Sequence, residues 1–208
     1  VTQGALCTTL LAKNLIDNDD ELVIANCDQY MEWAFGLFIK YARRHDGCLV
    51  VFNSTNPHHS YALMGRDGLV VKTAEKEVIS DKAAAGIYYY RTGREYVAAA
   101  EKMIALNIRT NNEFYICPVY NFLIEQGHRI GIYELNVNNK HMLGTVEELK
   151  IFIDKVNGYF DKDPKAVLAS ISPNDGGGFC TCEHCRAIDT QYGVTDGAQT
   201  DRFIHYAN

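Results

Sequence analysis

The chain has 208 residues, 47% of them hydrophobic and 22% charged, an ordinary globular composition that supports a real core and excludes disorder, collagen and coiled coil. Lys and Arg number 20 against 26 Asp and Glu, a net charge of −6, which argues against a general nucleic-acid or anionic-membrane binder. No apolar run approaches the ~20 residues that span a bilayer, and no basic stretch followed by an apolar one opens the chain as a signal peptide would.

Gly4 to Ile16 carries Leu6, Leu10, Leu11 and Leu15 at helical spacing and predicts an amphipathic helix. The polar run Asp17–Glu21 ends it, and Leu22–Ala25 reads as a short strand buried on both faces. The polar loop Asn26–Gln29 follows, then a helix over Met31–Arg44 and a buried strand over Cys48–Phe52. Ser60–Met64, Leu69–Thr73 and Gly86–Tyr90 read as strands, the first two joined by the Gly65–Gly68 hairpin signal. Helices are expected over Glu95–Leu106 and Asn112–Glu125, the second kinked or restarted at Pro118. Ile130–Leu135 reads as a strand, and Thr145–Val156 as a helix opened by a Thr145/Glu148 capping box. This order implies an α/β/α sandwich around a mixed, mostly parallel sheet, whose ligands bind beyond the strand ends, near Asp28. Composition shifts after Lys155: the break Asp161–Pro164, a strand over Ala166–Ser172, a Gly-rich loop, and a cysteine cluster. Cys7, Cys27, Cys48 and Cys117 sit among apolar neighbours and read as small buried hydrophobes of a reducing compartment.

Taken alone, Asp28 is either a divalent-cation ligand or the N-cap of the Met31 helix. Glu75–Lys76 is either a sugar-hydroxyl acceptor beside a phosphate-neutralising cation or a solvated surface pair. Glu113, in the polar patch Asn111–Tyr115, fits a first helical turn, where the dipole favours an acid.

Five pieces in order carry a resemblance: Gln3-Gly4-Ala5 with Leu22–Gln29, then Glu75-Lys76, Ala85–Tyr89, Asn112–Tyr115 and Leu143–Leu149. Together, over about residues 1–153, they resemble the sugar-1-phosphate nucleotidylyltransferases, a family of glycosyltransferase-A-like, nucleotide-diphospho-sugar transferase fold. The resemblance implies transfer of a nucleotidyl group from a nucleoside triphosphate to a sugar 1-phosphate, with release of pyrophosphate, in nucleotide-sugar and surface polysaccharide synthesis in the cytoplasm. It implies Gln3 and Gly4 in a nucleobase pocket, Asp28 as a catalytic Mg²⁺ ligand, and Glu75 on sugar hydroxyls. Lys76 would contact the sugar phosphate, Gly86 would let backbone approach the sugar, and Glu113 would line the substrate. Two departures stand out. The first strand and Gly-rich phosphate loop of the family are not found before Val1, so the chain reads as a truncated piece, inactive alone. Met142 stands where the family often has a second metal-binding Asp. The alternative is a non-catalytic sugar- or nucleotide-binding module.

Ser172–Cys185 does not fit that pattern. Residues 154–208 resemble an uncharacterised bacterial family related to glycoside hydrolases, which implies part of a barrel, an exported setting at odds with the first half, and a carbohydrate-processing role as a further alternative. Asp175 is then a tail carboxylate at a barrel face or an Asx-turn residue. Cys180, Cys182 and Cys185 read as a Zn²⁺ site, a disulfide or unpaired thiols.

Overall fold

The computed structural model of the chain describes residues 2–162. The expected Ala166–Ser172 strand, Asp175, Cys180, Cys182 and Cys185 lie outside the described residues. Packing divides the chain into two compact units, Val1–Leu149 and Lys150–Asn208.

Nearly everything described falls in the first unit. Its strands are β1 (Leu22–Ala25), β2 (Gln29–Met31), β3 (Gly47–Asn53), β4 (Ser60–Met64), β5 (Val70–Glu75), β6 (Lys82–Tyr90), β7 (Ile130–Glu134) and β8 (Lys140–Met142). Its helices are α1 (Ala5–Thr9), α2 (Lys13–Ile16), α3 (Phe35–Ala42), α4 (Gly93–Ala105) and α5 (Val119–Glu125); α6 (Val146–Lys162) begins in it. Six strands form one sheet in the order β5-β4-β6-β3-β7, with β1 also on β6, while β2 and β8 form a separate ribbon.

β3 shows why the sheet is covered on both faces. Leu49 and Val51 alternate with Cys48, Val50 and Phe52, and all five are buried, as the twofold period of a strand requires. Leu49 and Val51 join Leu6, Tyr90, Tyr96, Tyr120 and Leu123 under α1, α4 and α5. Cys48, Val50 and Phe52 join Phe38 and Ala42 of α3. Two apolar clusters, one per face, give the three-layer α/β/α arrangement read from the sequence.

Several expectations need correction. The sheet is mixed, but only the β3–β7 pair is parallel; β1–β6, β3–β6, β4–β5 and β4–β6 are antiparallel. The strands follow one another through hairpins and short returns, so the crossovers that a mostly parallel sheet needs are largely missing. β1 pairs only with β6 and is partly exposed rather than buried on both faces. The first helix breaks into α1, a 3₁₀ turn over Leu10–Ala12, and α2. Gln29–Met31 is strand, so the Met31 helix starts only at Phe35 and Asp28 does not cap it. Thr110 and Glu113 bridge each other in a tight turn instead of opening a helix, and of the two expectations at Pro118 the restart holds, with Pro118 capping α5. Cys48 and Cys117 are buried, with burial pushing the Cys48 thiol up to about 12, but Cys7 is half-buried and Cys27 exposed. The capping box holds: the Glu148 amide donates to Thr145 Oγ1 at 3.1 Å and the Thr145 amide to Glu148 Oε2 at 3.0 Å.

Candidate functional site

β6 keeps β3 along one edge. On its other edge it meets β4 only at Ala83 and β1 only from Ile87 to Tyr90. Between these two registers lies a cavity of about 260 Å³, lined among others by Asn26, His59, Ser60, Glu75, Gly86 and Lys140. Gly86 is at φ +75°, and a Cβ there would stand 2.6 Å from the Asn26 Nδ2. Both the left-handed backbone and the close approach select glycine, and they leave main chain on the cavity wall. The Asn26 amide donates to the Gly86 carbonyl at 2.8 Å and holds β1 to this point.

Glu75 ends β5 directly opposite Ser60. The Ser60 hydroxyl donates to the Glu75 carboxylate. Burial pushes the Glu75 carboxyl above its usual range; the Ser60 bond and the nearby Lys76 charge oppose the rise. Lys76 adopts φ +55°, a left-handed backbone uncommon for a side-chain-bearing residue, and its amide donates to the His59 carbonyl at 3.0 Å. Its Nζ donates to the Tyr115 hydroxyl at 2.7 Å, and that hydroxyl donates to Glu113 Oε2 at 2.7 Å. Tyr115 lines the cavity. A chain of hydrogen bonds therefore links Lys76 and Glu113, two residues singled out in the sequence, through a tyrosine at the cavity wall.

The β2–β8 ribbon carries the next wall. Met142 pairs with Gln29 and Lys140 with Met31, so Lys140 and Met142 share one face of β8, and both line the cavity. On the opposite face His141 reaches Glu32 at 3.0 Å and stacks on Tyr30. Lys140 Nζ sits 4.5 Å over the Phe52 ring. Burial pulls its ammonium below the usual lysine range, against the pull of Asp28 and Glu148. His59 is lowered too, by burial first and then by the Lys140 and His58 charges.

Asp28 is exposed in the loop between β1 and β2. Its carbonyl accepts from the Leu143 amide at 2.8 Å, and its Oδ2 lies 2.9 Å from where a Gly144 Cβ would be. The bare glycine therefore leaves room against the carboxylate. Among the described residues no group of three or more His, Cys, Asp or Glu side chains is gathered to hold a metal ion. One exposed carboxylate fits Mg²⁺ only in the manner in which substrate phosphates and water complete the shell; Met142 offers a thioether, a poor partner for so hard a cation.

Gln3 and Gly4 lie against the Glu113 segment. The Phe114 amide donates to the Gln3 carbonyl at 2.9 Å, and Arg109 Nη2 donates to Gln3 Oε1 at 2.6 Å while its guanidinium lies 3.9 Å over the Phe114 ring. Gly4, at φ +121°, has no room for a Cβ against the Phe114 main chain. Neither residue lines the cavity, which the neighbouring Ala5 reaches. The structure thus brings Glu75 and Gly86 together at the cavity and joins Lys76 to Glu113, while Asp28 does not line the cavity and acts on Lys140 through its charge. His59, Ser60, Tyr115 and Lys140 were not singled out in the sequence. Tyr115 sits inside a motif quoted for other residues, whereas a histidine pair in a loop and a three-residue strand leave no periodic signal.

A solved structure of a nucleoside-diphosphate-sugar pyrophosphorylase from Vibrio cholerae RC9 aligns with 74% of the chain and 66% of its own length, at 26% identity and TM-score 0.64. A protein of Bacillus anthracis assigned as a glucose-1-phosphate thymidylyltransferase, solved in complex with a sucrose, aligns with 73% of the chain and 60% of its own length, at 16% identity and TM-score 0.56. The fold is shared. The chain spans about two thirds of the first of these neighbours and less of the second. A family model for a domain of unknown function, DUF4838, matches residues 111–208, and so begins upstream of residue 154, where the tail resemblance was placed. No curated protein matches the sequence.

Proposed function

We propose that residues 1–149 bind a sugar 1-phosphate in the cavity at Gly86 and serve its nucleotidylation. A phosphate oxygen of the sugar attacks the α-phosphorus of a nucleoside triphosphate, the bond to the bridging oxygen breaks, and pyrophosphate leaves. The observation that carries this reading is the cavity itself. A desolvated carboxylate, Glu75, accepts from sugar hydroxyls in the same space where Lys140 and His59 present cationic or polar nitrogen, beside main chain bared at Gly86. The likeness of fold to sugar nucleotidyltransferases supports it. In this reading Gln3 and Gly4 serve the base, Lys76 the sugar phosphate, and Glu113 holds Tyr115 and through it Lys76. Asp28 is the residue that would hold Mg²⁺, which supplies charge neutralisation on phosphate oxygens. The remaining task of the chain is positioning, since in-line phosphoryl chemistry gains most from aligned reactants. A nucleoside triphosphate as substrate goes with a cytoplasmic setting and product use in polysaccharide synthesis. No described helix is long and apolar enough to cross a membrane.

Met142, facing Gln29 beside the lone carboxylate, favours a second reading, a binding module without turnover. Pyrophosphate release decides between them. The 208-residue chain is mixed with Mg²⁺, each of the common nucleoside triphosphates and a panel of sugar 1-phosphates. Release that depends on the sugar phosphate and falls at least tenfold in Asp28→Asn supports the transferase. Background release together with sugar-phosphate binding that is indifferent to Mg²⁺ and to Asp28→Asn supports the module.

A further inference from the structure

An uncovered strand edge is a row of unpaired N–H and C=O groups, a template for a further strand. β1 pairs with β6 alone. The Asn26 amide donates to the Gly86 carbonyl, and residues along an antiparallel ladder alternate between bonded and non-bonded pairs. In the register that runs from Leu22 opposite Tyr90 to Ala25 opposite Ile87, Leu22 and Ile24 therefore bond β6, while Val23 and Ala25 turn N–H and C=O outward. These outward groups have no hydrogen-bond partner among the described residues. The β5 edge is closed at the corresponding place: the Thr73 amide donates to Asn121 Oδ1 at 2.8 Å and Asn121 Nδ2 to the Thr73 carbonyl at 2.9 Å. One carboxamide there stands in for the peptide group of another strand. Along β1 lies instead a depression of about 270 Å³, lined among others by Val23, Ala25, Gln29, Trp33, Phe35 and Ile87. Gln29 has buried Oε1 and Nε2 atoms without a hydrogen-bond partner among the described residues, and its amide is the complement of one peptide group, as Asn121 is for Thr73. Charge marks both ends of the strand. Asp20 precedes β1 and Asp28 follows it, both exposed, and neither is in a salt bridge with a described residue, whereas Asp19 and Glu21 are taken by Arg94 and Arg43. A second copy pairing antiparallel about Ile24 would set Asp20 of each chain against Asp28 of the other, and like charges directly opposite destabilise a pair.

We propose that the open edge of β1 takes up, as an added strand, an extended segment of another polypeptide: a short run with apolar side chains at alternate positions and Lys or Arg at both ends. Main-chain bonds to Val23 and Ala25 supply the affinity, and the depression receives an apolar side chain from the strand face turned towards it. The acids at the two ends select the basic flanks and turn away a second copy. This surface is separate from the sugar-phosphate reading and stands or falls without it.

The test adds the capped peptide Lys-Thr-Val-Thr-Val-Thr-Lys to the 208-residue chain and follows backbone NMR shifts and amide exchange. The expected result is saturable binding with Kd below about 1 mM, and amide exchange at Val23 and Ala25 slowed about tenfold or more. The same peptide with Glu in place of both Lys binds about tenfold more weakly or less well still. Ala25→Pro removes an outward donor and leaves the β6 ladder intact, as proline on an edge strand does, and weakens the Lys peptide about tenfold or more. If Ala25→Pro folds poorly, Asp20→Lys, a change at an exposed side chain, decides: it weakens the Lys peptide at least about threefold and favours the Glu peptide. Absence of saturable binding overturns the proposal. So does binding that these substitutions leave untouched, or protection that falls on another strand. Equal binding of the Lys and Glu peptides overturns the charge selection, and self-association of the chain through Val23 and Ala25 that the peptide does not displace overturns the choice of partner.

Discussion

Glu75 shows how one side chain couples the site to stability. Burial raises its carboxyl pKa, with Ser60 and Lys76 opposing, so the folded state holds this proton more tightly than the unfolded chain does. The folded state then binds more protons than the unfolded one between the ordinary carboxyl range and the raised pKa, and stability falls as pH rises through that window. Above it the full cost of the buried charge is present. Glu75→Gln removes that cost: the variant is expected to melt at the wild-type temperature or below near pH 4.5 and progressively above it towards neutrality. Parallel thermal melts across that range check this, and a constant offset between the two proteins would contradict it. At this scale the sequence was informative where chemistry and conformation coincide. Glu75 and Gly86 do line one cavity; the first was legible as an acid at a strand end, the second only through the family resemblance. Lys140 and His59 were not, because what marks them is a missing partner and a shared aromatic floor, and both are properties of tertiary packing.

The β2–β8 ribbon is the element that sequence patterns hid. Trp33, Phe35, Phe38 and Tyr41 recur at helical spacing, and that period ran the expected α3 back to Met31, while Gln29 was read as loop. Three residues are too few to show a strand alternation, and the pairing partner lies more than a hundred residues away at Lys140–Met142. By contrast β3 declared itself through a continuous apolar run, as a strand covered on both faces does. The ribbon also carries an energetic oddity. The Gln29 side chain, opposite Met142, has buried Oε1 and Nε2 atoms with no hydrogen-bond partner among the described residues. An unsatisfied buried amide costs about 1–3 kcal/mol, so Gln29→Met, close in length and without polar atoms, is expected to raise unfolding stability by about 1 kcal/mol or more. Urea denaturation with an unchanged slope measures it. A loss of stability would mean that the amide is satisfied and that the ribbon depends on it.

Across the whole molecule, the three-layer α/β architecture was legible from the alternation of elements, while the strand directions were not. Parallel and antiparallel neighbours differ in where the returning chain runs: the β4–β5 hairpin was legible at Gly65–Gly68, whereas the antiparallel pairing of β6 with β4, β3 and β1 was not. That difference creates the site. Because β1 and β4 both approach β6 antiparallel but from opposite ends, the edge of β6 is left open at Gly86, and the cavity fills the opening. The sugar-nucleotidyltransferase likeness and the side chains around that opening converge on one claim, that this gap receives a sugar phosphate. Isothermal titration of the 208-residue chain with a panel of sugar 1-phosphates tests it most directly. The account predicts saturable binding of at least one member, weakened about tenfold or more by Glu75→Ala, with the folded spectrum of that variant retained. Binding by no member of the panel, or binding that this substitution leaves untouched, would contradict it.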